Sequence, residues 1–365
     1  MKVIIAGGGT GGHLFPGLAI AEEFKRRDSN AEIVFVGTEH GIEAKIIPRE
    51  GYPIRYLRSQ GIVGKSIAGK VKGIAELFLS FFDAQRILKT VSPDIVIGVG
   101  GYASGAIVMV ADLKSIPTMI HEQNSVPGLT NKILGRVAKR ICVTYHESLT
   151  SFPMNKTFLT GNPIRTKILK GDREAACRLF SLRKDLFTVF IFGGSSGAQA
   201  INRTMVDALN HLTDLRDHIQ FLHQTGDRDF ENIRDAYRKA GVKGTVAPFI
   251  YQMAEAYAAA DVVVSRAGAT TLAELTALGK PAILVPYPHA AGRHQEFNAL
   301  KLREMGAAMV MLENDLKGET LAAAIREIYQ NSGLQAEMKS ASKGLGRPEA
   351  CSKIVDIAMS LVKNA

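Results

Sequence analysis

At 365 residues, with 46% apolar and 22% charged side chains, the chain is long enough for two globular domains and too apolar to be disordered or fibrous. Its 45 Lys and Arg against 35 Asp and Glu leave a net charge of +10, which favours anionic partners and says nothing about fold. Three widely spaced cysteines (Cys142, Cys177, Cys351) without a CxxC argue against a disulfide framework or a Cys-based zinc site, and no apolar run approaches the roughly eighteen residues of a membrane span.

The chain opens on Val3-Ile4-Ile5, too short an apolar core for a signal peptide, so a cytoplasmic protein is expected. This run reads as a buried parallel strand, as do Ile33–Val36, Ile95–Ile97, Thr188–Phe192, Val262–Val264 and Ala282–Val285. Stretches with helical spacing lie between them, among them Gly17–Arg27, Ile201–Leu212 and Ala291–Met305. The alternation predicts doubly wound α/β architecture.

The first loop, Gly7-Gly8-Gly9-Thr10-Gly11-Gly12-His13, formally satisfies GxGxxG, with Glu39 after the second strand as a ribose ligand. Pro16 speaks against a dinucleotide site. Proline is tolerated in a helix's first turn, which puts the helix start near Leu14 and His13 at the tip of a lengthened loop. Residues 55–90 carry seven basic and two acidic side chains. Ile74, Leu77, Phe78, Leu79, Phe81 and Phe82 cover an arc of about 200° on a helix there. That composition suits an anionic membrane surface, or a helix packed between a sheet and its loops.

Gly98–Gly105 is a second glycine loop. His121-Glu122-Gln123-Asn124 then follows the strand-like Thr118–Ile120; four polar side chains there are costly to bury without partners, which points to a site. Its histidine and carboxylate, like His13, His289 and His294, fall into no metal-ligand spacing. A turn at Gly161-Asn162-Pro163 predicts a domain boundary, with 1–162 plus 347–365 as one domain and 163–346 as the other.

The second domain repeats the first. Val189–Ser195 answers to Val3–Gly9, Asp261–Ser265 to Asp94–Gly98, and Lys280–Leu284 to Ile116–Ile120, in the same order with drifting offsets. Gly193–Ala198 and Ser265–Thr271 are the third and fourth strand-to-helix loops, the last leading to Glu274. Any one could be a tight turn, and Glu274 a solvated helix position. Four at strand carboxyl ends favour phosphate binding in a cleft between two Rossmann-like domains. Ile354, Val355, Ala358, Leu361 and Val362 form a helical stripe, so the chain ends in a helix.

Gly8–Gly12-His13-x-x-Pro16-Gly17-Leu18-Ala19, the Gly98–Gly105 loop, His121–Asn124, Gly161-Asn162-Pro163-Ile164-Arg165, Gly193-Gly194-Ser195-x-Gly197-Ala198 and Arg266–Glu274 together resemble, end to end, the MurG-type N-acetylglucosaminyltransferases of bacterial peptidoglycan synthesis. The resemblance implies a GT-B glycosyltransferase of family 28, two Rossmann-like domains facing a cleft, with a C-terminal helix returning to the first. It implies a metal- and cofactor-independent, inverting transfer of N-acetylglucosamine (GlcNAc) from UDP-GlcNAc to the 4-hydroxyl of the muramoyl sugar of lipid I, giving lipid II. By motif match, Glu274 would take the ribose and Ile250 the uracil. Arg165 and Ser195 would lie near the diphosphate, with Ala269, Thr270 and Thr271 lining the pocket and His294 and Gln295 reading the sugar. Thr10, Gly11, Gly12 and Asn124 would reach the donor from the first domain, and Gly9, Gly100, Gly101, Tyr102 and Ser104 would hold the acceptor diphosphate. His13 is the first candidate base and Glu122 the second. Residues 65–90 would meet the cytoplasmic face of the plasma membrane, where cell-wall synthesis proteins are further partners.

A UDP-GlcNAc epimerase of the same shape is the nearest rival. A nicotinamide dehydrogenase would need a standard loop and an unlike second domain. A nucleic-acid binder would explain the charge, but no recognition module is present.

Overall fold

Period-2 alternation splits the side chains of the first strand between two cores. Val3 and Ile5 pack into one apolar cluster and Ile4 and Ala6 into another, all four fully buried. A strand buried on both faces belongs inside a parallel sheet covered by helices on each side, and that is what the computed structural model of the chain contains. It describes residues 1–58, 67–194 and 197–363, with side chains outside 67–78. The chain divides into two units, residues 1–165 with 348–365, and residues 166–347.

The first unit alternates β1 (Lys2–Ala6), α1 (Gly11–Arg27), β2 (Glu32–Gly37), α2 (Glu43–Arg49), β3 (Ile54–Tyr56), α3 (Ile67–Val91), β4 (Ile95–Gly98), α4 (Tyr102–Leu113), β5 (Thr118–Glu122), α5 (Leu129–Val137), β6 (Arg140–Val143) and β7 (Thr157–Leu159). The second runs α6 (Arg173–Leu179), β8 (Phe187–Phe192), α7 (Gln199–Leu209), β9 (Ile219–Gln224), α8 (Phe230–Ala240), β10 (Gly244–Ala247), α9 (Met253–Ala259), β11 (Val262–Ser265), α10 (Ala269–Leu278), β12 (Ala282–Leu284), α11 (His294–Glu304), β13 (Ala308–Val310), α12 (Gly318–Gln330) and α13 (Ser332–Leu345). The last helix, α14 (Ala350–Lys363), belongs to the first unit.

Both sheets are parallel, with strand orders β3-β2-β1-β4-β5-β6-β7 and β10-β9-β8-β11-β12-β13. Each reverses direction once, between β1 and β4 in the first unit and between β8 and β11 in the second. Those are the switch points where loops leaving neighbouring strands diverge and open a crevice. The expected doubly wound architecture is therefore present twice, and each predicted strand is found.

Two helix boundaries differ from expectation. α1 begins at Gly11 rather than near Leu14, with His13 and Leu14 amides both donating to the Thr10 carbonyl. Pro16 thus falls in the second turn, where it cannot supply the N–H that Gly12 would otherwise accept. The stretch Ala291–Met305 is divided, because Gly292 (φ 60°) and Arg293 (φ 53°) take left-handed conformations before α11 starts at His294.

α14 is held by its apolar stripe. Ile354, Val355 and Ala358 are fully buried in the cluster that contains Leu14 and Leu18 of α1. Burying each of the two larger side chains contributes about 2 kcal/mol. Arg27 adds polar fixation, reaching Asp356 and both the hydroxyl and carbonyl of Ser352.

Candidate active site

In the first unit the loops leaving β1 and β4 interlock. A Cβ on Gly7 would stand 2.4 Å from Val99 Cγ2, and one on Gly101 would stand 2.7 Å from the Gly8 carbonyl oxygen. Glycine at both positions lets two backbones meet at the switch point, with Gly9 and Thr10 exposed above them. The imidazole of His13, in the first turn of α1, lies against this junction. Its Nδ1 is 3.1 Å from the Gly8 carbonyl oxygen and 3.4 Å from Thr10 Oγ1. A carbonyl can only accept, so Nδ1 carries the proton and Nε2 is the basic nitrogen. Tyr102 is half-exposed at the start of α4, whereas Ser104 is fully buried and its hydroxyl donates to the Gly101 carbonyl.

The polar run at the end of β5 divides by function, since β5 takes in His121 and Glu122 where the sequence places them after the strand. Glu122 is 1% exposed and accepts from four donors: the Asn124 amide and side chain at one oxygen, the Gly128 amide and Asn131 side chain at the other. Both oxygens are thereby committed to the loop 123–128 and α5. His121 is fully buried with Nε2 3.1 Å from the Gly161 carbonyl; desolvation brings its pKa down to about 4, so it stays neutral. Gln123 donates to the Val99 carbonyl at 2.7 Å, tying this loop to the one after β4. Asn124 is part-exposed at the same edge.

Arg165, expected near the diphosphate, is held by two carboxylates of the first unit. It is 8% exposed and its guanidinium spans Glu22 of α1 and Glu50 after α2, with Nε–Oε1 at 2.7 Å and Nη1–Oε1 at 2.8 Å respectively. Burial pushes its pKa down, but the two carboxylates more than offset that and raise it overall. The side chain therefore staples α1 and the α2–β3 turn to the last residue of the first unit.

In the second unit the loop after β8 packs against the end of β9. Gly194 (φ 98°) and Gly197 (φ 74°) shape the loop after β8, and a Cβ on Gly197 would sit 2.1 Å from the Thr225 carbonyl oxygen. Ser195 lies outside the described residues. Gln224 donates to the Gly194 carbonyl at 3.0 Å and accepts from the buried Ile250 amide at 2.9 Å, so this loop and residue 250 are fixed by one side chain. After β11, Gly268 caps α10, whose first turn holds Ala269, Thr270 and Thr271 and no acidic residue. Such an N-terminus suits an anion. Glu274, one turn further, is oriented by the hydroxyl of fully buried Tyr257 at 2.7 Å. At the start of α11, His294 Nδ1 donates to the Ala291 carbonyl at 2.6 Å and Gln295 Oε1 accepts from the Tyr287 amide at 3.0 Å.

Three organising side chains are not singled out by the sequence motifs. Gln224 and Tyr257 are two. The third is Glu43, 1% exposed, which accepts from the Gly9 amide at 2.8 Å and from the Thr38 amide and hydroxyl at 2.9 Å each. A Cβ on Gly8, Gly37 or Gly41 would fall within 2.5 Å of its side chain, and that glycine triplet around an acidic residue was the available signal. Glu39, the alternative acidic ligand after β2, is exposed. The expectation of a membrane-facing surface at 65–90 falls in part outside the described side chains. Beyond 78, Leu79 is 40% and Phe82 68% exposed, while Ala84, Ile87 and Leu88 are buried. No described helix is long and apolar enough to cross a membrane.

Two family models match the chain: the glycosyltransferase family 28 N-terminal domain matches residues 3–143, within the first unit, and the family 28 C-terminal domain residues 188–354, which take in most of the second unit and the start of α14. A protein of Thermodesulfovibrio yellowstonii is 50% identical over 363 residues, covering 100% of this chain and 99% of its own length. One of Myxococcus xanthus is 47% identical, covering 99% and 93%. Both are named UDP-N-acetylglucosamine–N-acetylmuramyl-(pentapeptide) pyrophosphoryl-undecaprenol N-acetylglucosamine transferase. Among solved structures, the Acinetobacter baumannii MurG crystal structure superposes with a TM-score of 0.76 at 30% identity, covering 98% of this chain and 99% of that one. A Neisseria meningitidis UDP-GlcNAc 2-epimerase superposes at 0.70 with 12% identity over 99% and 100%, a likeness of fold alone.

Proposed function

The chain belongs to glycosyltransferase family 28, and from that premise we propose that it is the N-acetylglucosaminyltransferase that converts lipid I to lipid II in peptidoglycan synthesis. The observation that carries this reading is the 50% identity, across the full length of both chains, to a relative named for that activity. Donor and acceptor are UDP-GlcNAc and undecaprenyl-diphosphoryl-MurNAc-pentapeptide.

The 4-hydroxyl of the muramoyl sugar attacks the anomeric carbon of GlcNAc. The new C–O bond forms as the bond to UDP breaks on the opposite face, inverting that carbon. His13 takes the hydroxyl proton at Nε2. Support for this comes from Nδ1, which donates to Gly8 and so leaves the second nitrogen as the base. Glu122 suits the role less, because both its oxygens serve loop amides and Asn131; we assign it the ordering of Asn124 beside the loops.

Gly100 and Gly101 offer backbone amides for the acceptor diphosphate, with exposed Gly9 and Tyr102 beside them. Ser104 shapes this loop from below. On the second unit, the loop after β8 and the α10 N-terminus with Thr270 and Thr271 suit the donor diphosphate and the charge that develops on departing UDP. Glu274 takes the ribose hydroxyls, Ile250 faces the uracil, and Gln295 with His294 reads the sugar. Main-chain donors supply this stabilisation, so no metal is invoked. The exposed Leu79 and Phe82, in a stretch rich in lysine and arginine, meet the acidic inner leaflet where the acceptor is anchored. The enzyme then works peripherally at the plasma membrane, in service of cell shape and division.

The test is transfer of radiolabel from UDP-GlcNAc into butanol-extractable lipid, with a lipid I analogue and EDTA present. Acceptor-dependent label that persists in EDTA is expected, and His13→Ala should lower kcat by about a hundredfold or more. UDP release or epimerised sugar without acceptor, and no labelled lipid, would overturn the transferase in favour of an epimerase.

A further inference from the structure

Glu43 and His13 address the two ends of one peptide group. The Gly9 N–H donates to Glu43 Oε2 at 2.8 Å, and the carbonyl of the same Gly8–Gly9 peptide accepts from His13 Nδ1 at 3.1 Å. The series therefore runs carboxylate, peptide N–H, peptide C=O, imidazole N–H, imidazole Nε2. A peptide is polarisable along this direction, and hydrogen bonds in series strengthen one another. A carboxylate orienting a histidine through Nδ1 is a familiar arrangement for a general base; here a peptide stands between them.

The carboxylate is built into place. It is 1% exposed, its second oxygen accepts from both the amide and hydroxyl of Thr38, and side chains at Gly8, Gly37 or Gly41 would collide with it. The imidazole is also fixed, since a Cβ on Gly100 would stand 2.7 Å from its Cδ2. The loop of residues 7–12 and the stretch Gly98–Gly101 carry no ionisable side chain, and α1 has none after His13 until Glu22. Among the described residues, ionisable groups on neighbouring elements include Tyr102 at the head of α4, Glu122 at the end of β5 and, past β2, exposed Glu39 and His40.

We propose that Glu43 is a positioning residue for the transfer, fixing the Nδ1–H tautomer of His13 and raising the basicity of its Nε2 through the Gly8–Gly9 peptide. The proposal rests on the reading of His13 as the base, and it is tested by a property of His13 that can be measured without turnover.

In the full-length protein labelled with 15N-histidine, with His13 identified by loss of its signals in His13→Gln, the neutral ring is expected as the Nδ1–H tautomer. In Glu43→Gln the amide can offer an oxygen to Gly9 or to Thr38 but not to both, and the charge is gone. His13 should then bind its proton about three- to tenfold more weakly, and the acid limb of the kcat profile should move to lower pH by the same factor while KM for UDP-GlcNAc holds. An unchanged His13 titration in folded Glu43→Gln would overturn the proposal, since loss of mere loop support lowers kcat without moving it. If that variant fails to fold, an Nε2–H tautomer in the unsubstituted protein overturns the proposal by itself. Failure of the base reading shows separately, as undiminished transfer by His13→Gln, and leaves the titration result intact.

Discussion

The imidazole of His13 occupies the space that a side chain at Gly100 would need: a Cβ there would stand 2.7 Å from Cδ2 and 2.9 Å from Nε2. Gly100 also has φ of 93°, which L side chains rarely adopt. Gly100→Ala should therefore push the ring off the Gly8 carbonyl and strain the loop together. We expect kcat to fall at least tenfold, with about 1–2 kcal/mol lost from the stability of the first unit. Steady-state kinetics beside a denaturant titration check both. A kcat within twofold of the parent would mean that the ring's position is not needed for transfer.

Arg165 gives a prediction of the opposite kind, a loss of stability. Removing it leaves the carboxylates of Glu22 and Glu50 facing each other, partly buried, without their cation. Arg165→Ala should cost about 3 kcal/mol, and Arg165→Lys should recover little, since a single ammonium cannot span both carboxylates as the guanidinium does. Chemical denaturation of the three proteins at pH 7.5 measures this. A loss below about 0.5 kcal/mol would place the ion pairs with ordinary surface ones.

What the sequence made legible is periodicity and punctuation. Buried strands such as Val3–Ile5 and Val262–Val264 are short β-branched runs, and glycine clusters mark the turns at both switch points. The joint motif pattern also identified the family, because that depends on residue types in order rather than on contacts. Partnership was not legible. That Arg165 pairs with Glu22 and Glu50, and that Glu122 accepts from Asn124, Gly128 and Asn131, depends on contacts between distant segments. Glu43 is unremarkable in the sequence because two of its three donors are backbone amides, which every sequence contains. Pro16 points to a helix start near Leu14 only if it needs the first turn, whereas α1 starts at Gly11. The second turn tolerates it at the loss of one main-chain hydrogen bond.

Two fully buried histidines set the response to acid. Desolvation lowers the pKa of His121 to about 4 and that of His223 to about 3, from an ordinary value near 6.5. Both are depressed in the folded state, so between about pH 6.5 and 4 the unfolded chain binds more protons and stability falls as pH falls. The stabilisation is complete above 6.5, and each group contributes a slope of up to about 1.4 kcal/mol per pH unit in that window. Because His121 lies in the first unit and His223 in the second, the denaturation midpoints of both should drop between pH 7 and pH 5. A midpoint that stays level for either unit would mean that its histidine is solvated.

Tyr257 separates binding from chemistry on the second unit. Its hydroxyl donates to Glu274 at 2.7 Å, while its ring is packed edge-on against Phe190 and Phe192 in the core. Tyr257→Phe keeps that packing and removes only the donor. A hydrogen bond to a carboxylate contributes about 1.5–3 kcal/mol, part of which is recovered when Glu274 finds water. We expect KM for UDP-GlcNAc and the Kd of UDP, measured by calorimetry, to rise together by about three- to tenfold, with kcat nearly unchanged. The parallel rise matters because it assigns the loss to ground-state binding of the nucleoside, where a ribose ligand acts. If kcat fell while UDP bound as before, Glu274 would be acting on the transferring sugar, and its assignment to the ribose would have to be abandoned.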